Sequence, residues 1–346
     1  MATRKTLVVQ MFITDECDQR CDHCYIFGED PNKRPKSMSF EVFRSAADKL
    51  ISYSRQSGVS LSWGIAGGDP LLHPRFWDFA GYLKKNGFSF VMIGNPFHLS
   101  AEVCERLYDY GCMQYQMSLD GLKENHDRNR RKGSFDATVN CFSMIHAAGM
   151  DSGVRSMVSE KNISDIPAIV DLCVKHRVSD FAFSRYAPVG GGKNNIKPLE
   201  YRKLLDICYK KFEEYRKQGC WTSFGEKDHL FLLYKYEEGI VRLSDDPDSK
   251  ELRYGCSCAV SPGKVRILHD GTVMACRRAL KTRLGNILTD RMDDVLASKK
   301  CYTDISRYEA CSNCRLVLYC RGCPAVSEGQ YGDFFKRDPQ CWHVVE

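Results

Sequence analysis

Residues 14–30 read TDECDQRCDHCYIFGED and hold Cys17, Cys21 and Cys24 at spacings of four and three, with no fourth thiol beside them. The run before them, residues 6–13 (TLVVQMFI), is short, apolar and rich in β-branched residues, so it reads as a buried strand with the three thiols on the loop that follows. Structural zinc wants four ligands in a closed tetrahedron. His23 adjoins Cys24, where joint ligation would be strained. A cubane [4Fe–4S] cluster also takes four protein ligands, one per iron. Three thiols would leave one iron open to a small chelating molecule.

Five further runs of the same kind follow at residues 59–66 (VSLSWGIA), 88–94 (FSFVMIG), 113–119 (MQYQMSL), 153–158 (GVRSMV) and 179–186 (SDFAFSRY). Helical patterns separate them. One places Phe135, Val139, Phe142 and Ile145 on a single face and stops at Gly149, and another starts at Ser100 as N-cap, aligns Val103, Leu107 and Tyr110, and stops at Gly111. Six strands alternating with helices imply an α/β fold with a parallel sheet, either open and doubly wound or closed into a partial barrel. In both, chemistry gathers at the C-terminal ends of the strands. The cysteine loop, GGDP (67–70), GNP (94–96) and SLDG (118–121) follow successive strands and should converge there.

A chain of 346 residues with 43% hydrophobic content can bury a large core and divides more naturally into two domains than one. No apolar run approaches the length of a membrane span. Eighteen cysteines without a secretory signal point to a reduced, cytoplasmic setting and to metal rather than disulfides. The net charge of +6 is dispersed, with one basic run at residues 127–133 (DRNRRKG) that reads as a solvated face, so no nucleic acid partner is expected.

Cys17, Cys21 and Cys24 resemble the CxxxCxxC signature of radical S-adenosylmethionine (radical SAM) enzymes, in which the open iron holds the methionine moiety of the cofactor. GGDP looks like the family's GGEP segment, with Asp69 one methylene shorter than the usual Glu. Ser118–Phe135, SLDG with NHDRNRRKGSF, is similar to the SxDG…HDxxR…G segment of peptide-modifying members. The resemblance covers about residues 6–220. It implies a partial (β/α)6 TIM-like barrel and cofactor contacts from His23, Tyr25, Gly67, Gly68, Asp69, Pro70, Asn95, Ser118, Asp120, Arg130 and Ser156.

Beyond residue 255 cysteine becomes dense: Cys256, Cys258, Cys276 at the end of a Gx4C, Cys311, Cys314, Cys320, Cys323 and Cys341. This field resembles the SPASM domain, a small cysteine-rich iron–sulfur appendix of radical enzymes that mature peptides and proteins. CRGC (320–323) is one residue shorter than that domain's usual spacing. The family's ligand order implies one auxiliary [4Fe–4S] cluster on Cys256, Cys258, Cys276 and Cys323, and a second on Cys311, Cys314, Cys320 and Cys341. Two zinc sites are the other reading of such thiolates. The expected division is a barrel domain at 1–220, a linker at 221–255 and the SPASM domain at 256–346. Cys104, Cys112, Cys141, Cys173, Cys208, Cys220 and Cys301 are expected to be structural.

The resemblance implies an oxidoreductase that cleaves S-adenosylmethionine with one electron from a flavodoxin- or ferredoxin-type donor and passes the 5′-deoxyadenosyl radical's demand for hydrogen to an unactivated carbon. The expected substrate is a ribosomally made precursor peptide receiving a thioether or carbon–carbon crosslink. The chain starts a few residues before its first strand, so a leader would be met by the barrel mouth, by the segment 220–255 or by a separate leader-binding protein. A sulfatase-maturating enzyme is a second reading, weakened because Arg277 stands where those enzymes typically place an acidic base. A non-catalytic iron–sulfur or zinc carrier is a third, and it would not need GGDP or SLDG.

Overall fold

The computed structural model describes residues 5–28, 30, 32–189, 191–242, 263–279, 281–308 and 310–343. Parallel strands β1 (Thr6–Thr14), β2 (Ser60–Gly67), β3 (Phe90–Ile93), β4 (Cys112–Ser118), β5 (Asp151–Val158) and β6 (Asp180–Arg185) pair in sequence order. Between them lie α1 (Phe40–Ser57), α2 (Phe76–Lys85), α3 (Ala101–Asp109), α4 (Lys123–Asn129), α5 (Ser134–Ala147) and α6 (Ile166–Lys175), and after β6 comes α7 (Pro198–Lys217). These are the elements of a partial TIM-like barrel, within a residue or two of the boundaries the sequence implies.

Local chemistry sets the helix ends. The Ser39 hydroxyl accepts the Val42 N–H at the start of α1, and Ser100 accepts the Val103 N–H at the start of α3. α5 has no capping side chain of its own. The Asp127 carboxylate on α4 takes that role, accepting from the N–H groups of Gly133 and Phe135 at 2.9 and 2.8 Å. Apolar strand residues Val9, Met11, Trp63, Ile65, Met92, Tyr115, Met117, Val154, Phe181 and Phe183 are buried with helix residues such as Phe43, Leu50, Phe79, Leu107 and Phe142 in one core.

Strand alternation sends the other set of residues to the barrel lumen. A Cβ on Gly153 would lie 3.3 Å from Gln116 Cγ and 3.4 Å from Gln114 Cδ, one on Gly64 would lie 3.8 Å from Gln10 Cγ, and one on Gly225 would lie 3.1 Å from Ala182 Cβ. The lumen is therefore lined by glutamines and widened by glycines. Arg155 pairs with Asp180 on the same face.

Residues 221–242, expected as part of a linker, belong to the packed fold. β7 (Ser223–Gly225) pairs parallel with β6, and α8 (Leu230–Glu237) buries Leu230, Phe231, Leu233 and Tyr234. The remainder of the linker, with Cys256 and Cys258, lies outside the described residues. β8 (Lys264–Ile267) then pairs parallel with β1 on its free edge, and β9 (Thr272–Met274) and β10 (Arg283–Asn286) continue antiparallel. The sheet order is β10-β9-β8-β1-β2-β3-β4-β5-β6-β7. Short helices follow: α9 (Met292–Ala297), α10 (Lys300–Thr303) and α11 (Pro324–Tyr331). Among the described residues no helix is long and apolar enough to cross a membrane.

Candidate active site

The end of β1 opens into the cysteine loop, and the loop after β2 is zipped against it. The Gly68 N–H donates to Thr14 O and the Asp69 N–H to Glu16 O, both at 2.7 Å. A Cβ on Gly67 would come within 2.2 Å of Thr14 O, and one on Gly68 within 2.2 Å of Glu16 O, so only glycine permits this approach. Asp69 is fully buried. Its carboxylate accepts the N–H groups of Leu71 at 2.9 Å and Asn95 at 3.2 Å, which ties the β2 and β3 loops together. Burial lifts its pKa to about 6 against those two hydrogen bonds. Pro70 opens the short turn that Asp69 caps.

Each of two thiols of the loop has donors around it. Cys17 Sγ receives the Gln19 N–H at 3.4 Å and lies 4.0 Å from Asn95 Nδ2, whose main bond goes to Asp18 at 2.7 Å. Cys21 Sγ lies 3.8 Å from Arg130 Nη1. Burial pushes the Cys17 thiol up to about 12 and raises that of Cys21, so both sulfurs favour the protonated form unless positive charge arrives. Among the described residues no His, Cys, Asp or Glu group converges tightly enough for a single metal ion. Three thiols on one loop, with N–H groups aimed at two of them and backbone brought close by two glycines, fit a cubane cluster, which spreads its thiolates over separate irons.

Asp120, from the SLDG loop, organises the far side. Its Oδ2 accepts from Arg130 Nε at 2.6 Å and lies 3.4 Å from His23 Nε2, while its Oδ1 accepts the Met157 N–H at 2.8 Å. Burial opposes its ionisation, but the charges of Arg130 and His23 outweigh that and bring it down to about 2. Burial holds His23 down to about 4, so its Nε2 is free to accept from Arg130 Nη2 at 3.2 Å. Behind them His126 Nδ1 accepts the Asp120 N–H at 3.0 Å, and its Nε2–H reaches Ser134 Oγ at 3.1 Å. Ser134 in turn takes Gln19 Nε2 at 3.2 Å, which anchors the cysteine loop to α5.

A cavity of about 210 Å³ opens beside this group, lined by His23, Asn129, Met157 and Tyr186. Ser118 is half-buried at the end of β4. The Ser156 hydroxyl is spent on Leu119 O at 2.5 Å, and Met157, one position on, is the β5 residue facing the cavity. Tyr25 packs edge-on against Phe12 and under the Arg277 guanidinium. Gln19 and Asn162, whose amide donates to Asp120 O and to Met157 O, belong to the site's framework although no motif spacing singles them out, and Asp127 of the HDxxR segment joins them through its bonds to the start of α5.

At the lumen's open side Lys227 stands among Arg155, Lys264 and Arg266, with Asp180 as the nearby carboxylate. Burial first, then those cations, brings the Lys227 ammonium down to about 7. In the C-terminal part, burial pushes the Cys311 thiol up to about 12, with Cys341 and Cys314 adding to it, and Cys320 is raised by burial with Cys341 and Cys311 contributing. These four thiols are thus neighbours. Cys323 Sγ lies 3.8 Å from Arg278 Nη2, and Cys276 is buried just after β9. Gly322 at φ 64 passes so close to Asp338 that a Cβ would fall 2.2 Å from the Asp338 Cβ, which accounts for the glycine in CRGC. Of the cysteines expected to be structural, Cys104, Cys112, Cys141, Cys173 and Cys208 are buried, Cys220 is half-buried, and Cys301 is exposed.

Comparison with known proteins agrees with this geometry. The model of the radical SAM superfamily matches residues 11–173, and that of the SPASM iron–sulfur cluster-binding domain matches residues 258–324. The chain is 26% identical to an Fe-coproporphyrin III synthase of Methanosarcina barkeri, covering 99% of this chain and 89% of that protein. It is 24% identical to the mycofactocin maturase MftC of Mycobacterium ulcerans, covering 95% and 86%. The fold matches Streptococcus suis SuiB bound to S-adenosylmethionine with a TM-score of 0.74 at 18% identity, over 98% of this chain and 78% of that one. The radical SAM and SPASM domains imply [4Fe–4S] clusters and S-adenosylmethionine as cofactors. The chain belongs to the radical SAM superfamily and carries a SPASM domain.

Proposed function

We propose that this protein is a peptide maturase that removes hydrogen from a ribosomally made precursor peptide and installs a thioether or carbon–carbon crosslink. Cys17, Cys21 and Cys24 hold the radical-generating cluster in this reading. The backbone at Gly67–Pro70, with Asn95, Ser118, Asp120, Arg130, His23 and Tyr25, positions S-adenosylmethionine. When bound, that pair supplies the hydrogen-abstracting radical, and the chain's residues supply position, exclusion of water and charge. The C-terminal thiols would hold auxiliary clusters, which would supply an acceptor for the electron the substrate gives up.

The observation that carries the peptide reading is the lumen. Gln10, Gln114 and Gln116 offer paired donors and acceptors, and Gly64, Gly153 and Gly225 leave room between them. An extended peptide repeats N–H and C=O groups that such amides can meet. MftC, named a maturase, and the SuiB structure bound to the precursor peptide SuiA are consistent with it. Tetrapyrrole chemistry is the second reading. It is favoured by the similarity to Fe-coproporphyrin III synthase and by Arg155, Lys227 and Arg266, which suit carboxylates.

The test is anaerobic turnover of the reconstituted enzyme with S-adenosylmethionine, a reductant and peptides encoded beside the gene. Formation of 5′-deoxyadenosine together with a peptide lighter by two hydrogens supports the maturase. Formation of Fe-coproporphyrin III from a tetrapyrrole precursor, with every peptide left unchanged, would replace it by the second reading.

A further inference from the structure

Arg277 follows Cys276 directly, and its side chain is only 11% exposed. No hydrogen bond joins it to any described residue, and its Nε is buried without a partner. The nearest carboxylate oxygen, on Asp15, is 4.0 Å away, and Asp15 already has Lys33 at 3.3 Å. The guanidinium instead lies 4.9 Å over the Tyr25 ring and 5.7 Å from that of Phe12. The Nε–H is thereby left buried without an acceptor, which is costly. The planar fork of an arginine is matched best by a carboxylate.

The next residue shows the contrast. Arg278 is bound on every side, donating to Ser184 Oγ at 3.4 Å and Arg185 O at 3.1 Å and approaching Cys323 Sγ at 3.8 Å. Two adjacent arginines therefore divide the work, one fastening the C-terminal part to β6 and one, beside the cysteine loop, without a hydrogen-bond partner among the described residues. Arg277 shares no partner with Asp120 or Arg130, so it is not a member of the group around His23. Phe12 and Tyr25 place it between the end of β1 and the residue after Cys24.

We propose that Arg277 is a specificity residue that receives an acidic side chain, Asp or Glu, of the substrate peptide. The inference rests on the peptide reading and adds the charge of a side chain that the peptide presents beside the cysteine loop.

The experiment pans a displayed library of random peptides, without oxygen, against the reconstituted full-length protein with S-adenosylmethionine bound. Peptides held by the wild type are expected to be enriched in Asp and Glu. That enrichment should fall about tenfold with Arg277→Gln, the loss of one charge-assisted pair, and return in part with Arg277→Lys. Iron content and circular dichroism check that the variants are assembled. On the wild type alone, glutarate but not glutaramide should displace captured peptide, which keeps the test decisive if Arg277→Gln does not assemble. Captured peptides without acidic enrichment, or equal enrichment in the variant, overturn the proposal and leave the peptide reading standing. Loss of S-adenosylmethionine binding in Arg277→Gln also overturns it, since Arg277 would then serve the cofactor. If no peptide is held and Fe-coproporphyrin III binds instead, the peptide reading fails. Carboxylate recognition then survives only if Arg277→Gln weakens that binding too, and binding of neither probe overturns it.

Discussion

His126 is fully buried between Asp120 and Ser134, and its state is fixed by what surrounds it. Burial, reinforced by the Arg130 charge, holds its pKa down to about 4 from an ordinary 6.5. A histidine lowered in this way is neutral in both folded and unfolded chains above about pH 6.5. As the pH falls from there the unfolded chain takes up a proton that the folded chain refuses until about pH 4, so stability drops through that window. The loss attributable to His126 approaches about 3 kcal/mol at its lower end. Chemical denaturation at about pH 7 and about pH 5, either side of the ordinary histidine range, should show the wild type weakening, and His126→Gln should show a flatter dependence. An unchanged slope in the variant would mean that His126 does not titrate as its surroundings dictate.

At the scale of elements, the contact between the β2 loop and the start of the cysteine loop is made by backbone. Gly68 must pass Glu16 O so closely that any side chain forces the two loops apart. Gly68→Ala is expected to destabilise the protein by about 1–3 kcal/mol and to weaken S-adenosylmethionine binding more than that figure alone suggests, because Asp69 and Asn95 move with the loop. Denaturation and anaerobic calorimetry on the reconstituted variant measure the two effects separately. That these two loops meet is legible in the sequence, since both follow predicted parallel strands, but the closeness of the approach is not. The six strands are legible too, because each buries one face against helices and so alternates. The face of β5 is not. The resemblance implies Ser156 as a cofactor contact, whereas its hydroxyl is bonded to Leu119 O and it is Met157 that lines the cavity beside His23, since a serine in a half-polar strand gives no sign of which side it takes. β7, at three residues, is too short for a pattern, and α8 is apolar nearly all round because it is covered on most sides. The pairing of β8 with β1 joins residues more than two hundred positions apart, and no local window contains it.

Across the whole molecule, one buried arginine fastens the barrel to the C-terminal cysteines. Arg185, at the end of β6, is completely enclosed, as nearly are its two carboxylates. Its Nε and Nη2 reach Asp228 at 2.9 and 3.1 Å, its Nη1 and Nη2 reach Asp338 at 2.5 and 2.7 Å, and Nη1 also reaches Gln340 at 3.0 Å. Asp338 passes the connection on, since its Oδ2 accepts the Cys323 N–H at 2.6 Å and its backbone carbonyl accepts the Cys341 N–H at 3.0 Å. β6, the segment before α8 and the loops bearing Cys323 and Cys341 are therefore held by one guanidinium. Removing one member of a buried ion pair is more damaging than removing all of it, because the survivors keep their desolvation cost without their partner. Arg185→Met should cost about 3–5 kcal/mol and should lower the iron retained on reconstitution, with the loss falling on the C-terminal cysteines. Combining it with Asp228→Asn and Asp338→Asn should recover part of the stability, since no net charge is then left buried, and the amide oxygen introduced by the second change can still accept the Cys323 N–H. Denaturation midpoints for the single and triple variants, read beside iron per chain, decide between two arrangements. Partial recovery in the triple variant means that the charges mainly balance one another, whereas a further loss means that the ion pair itself is what keeps the C-terminal thiols in register with the barrel.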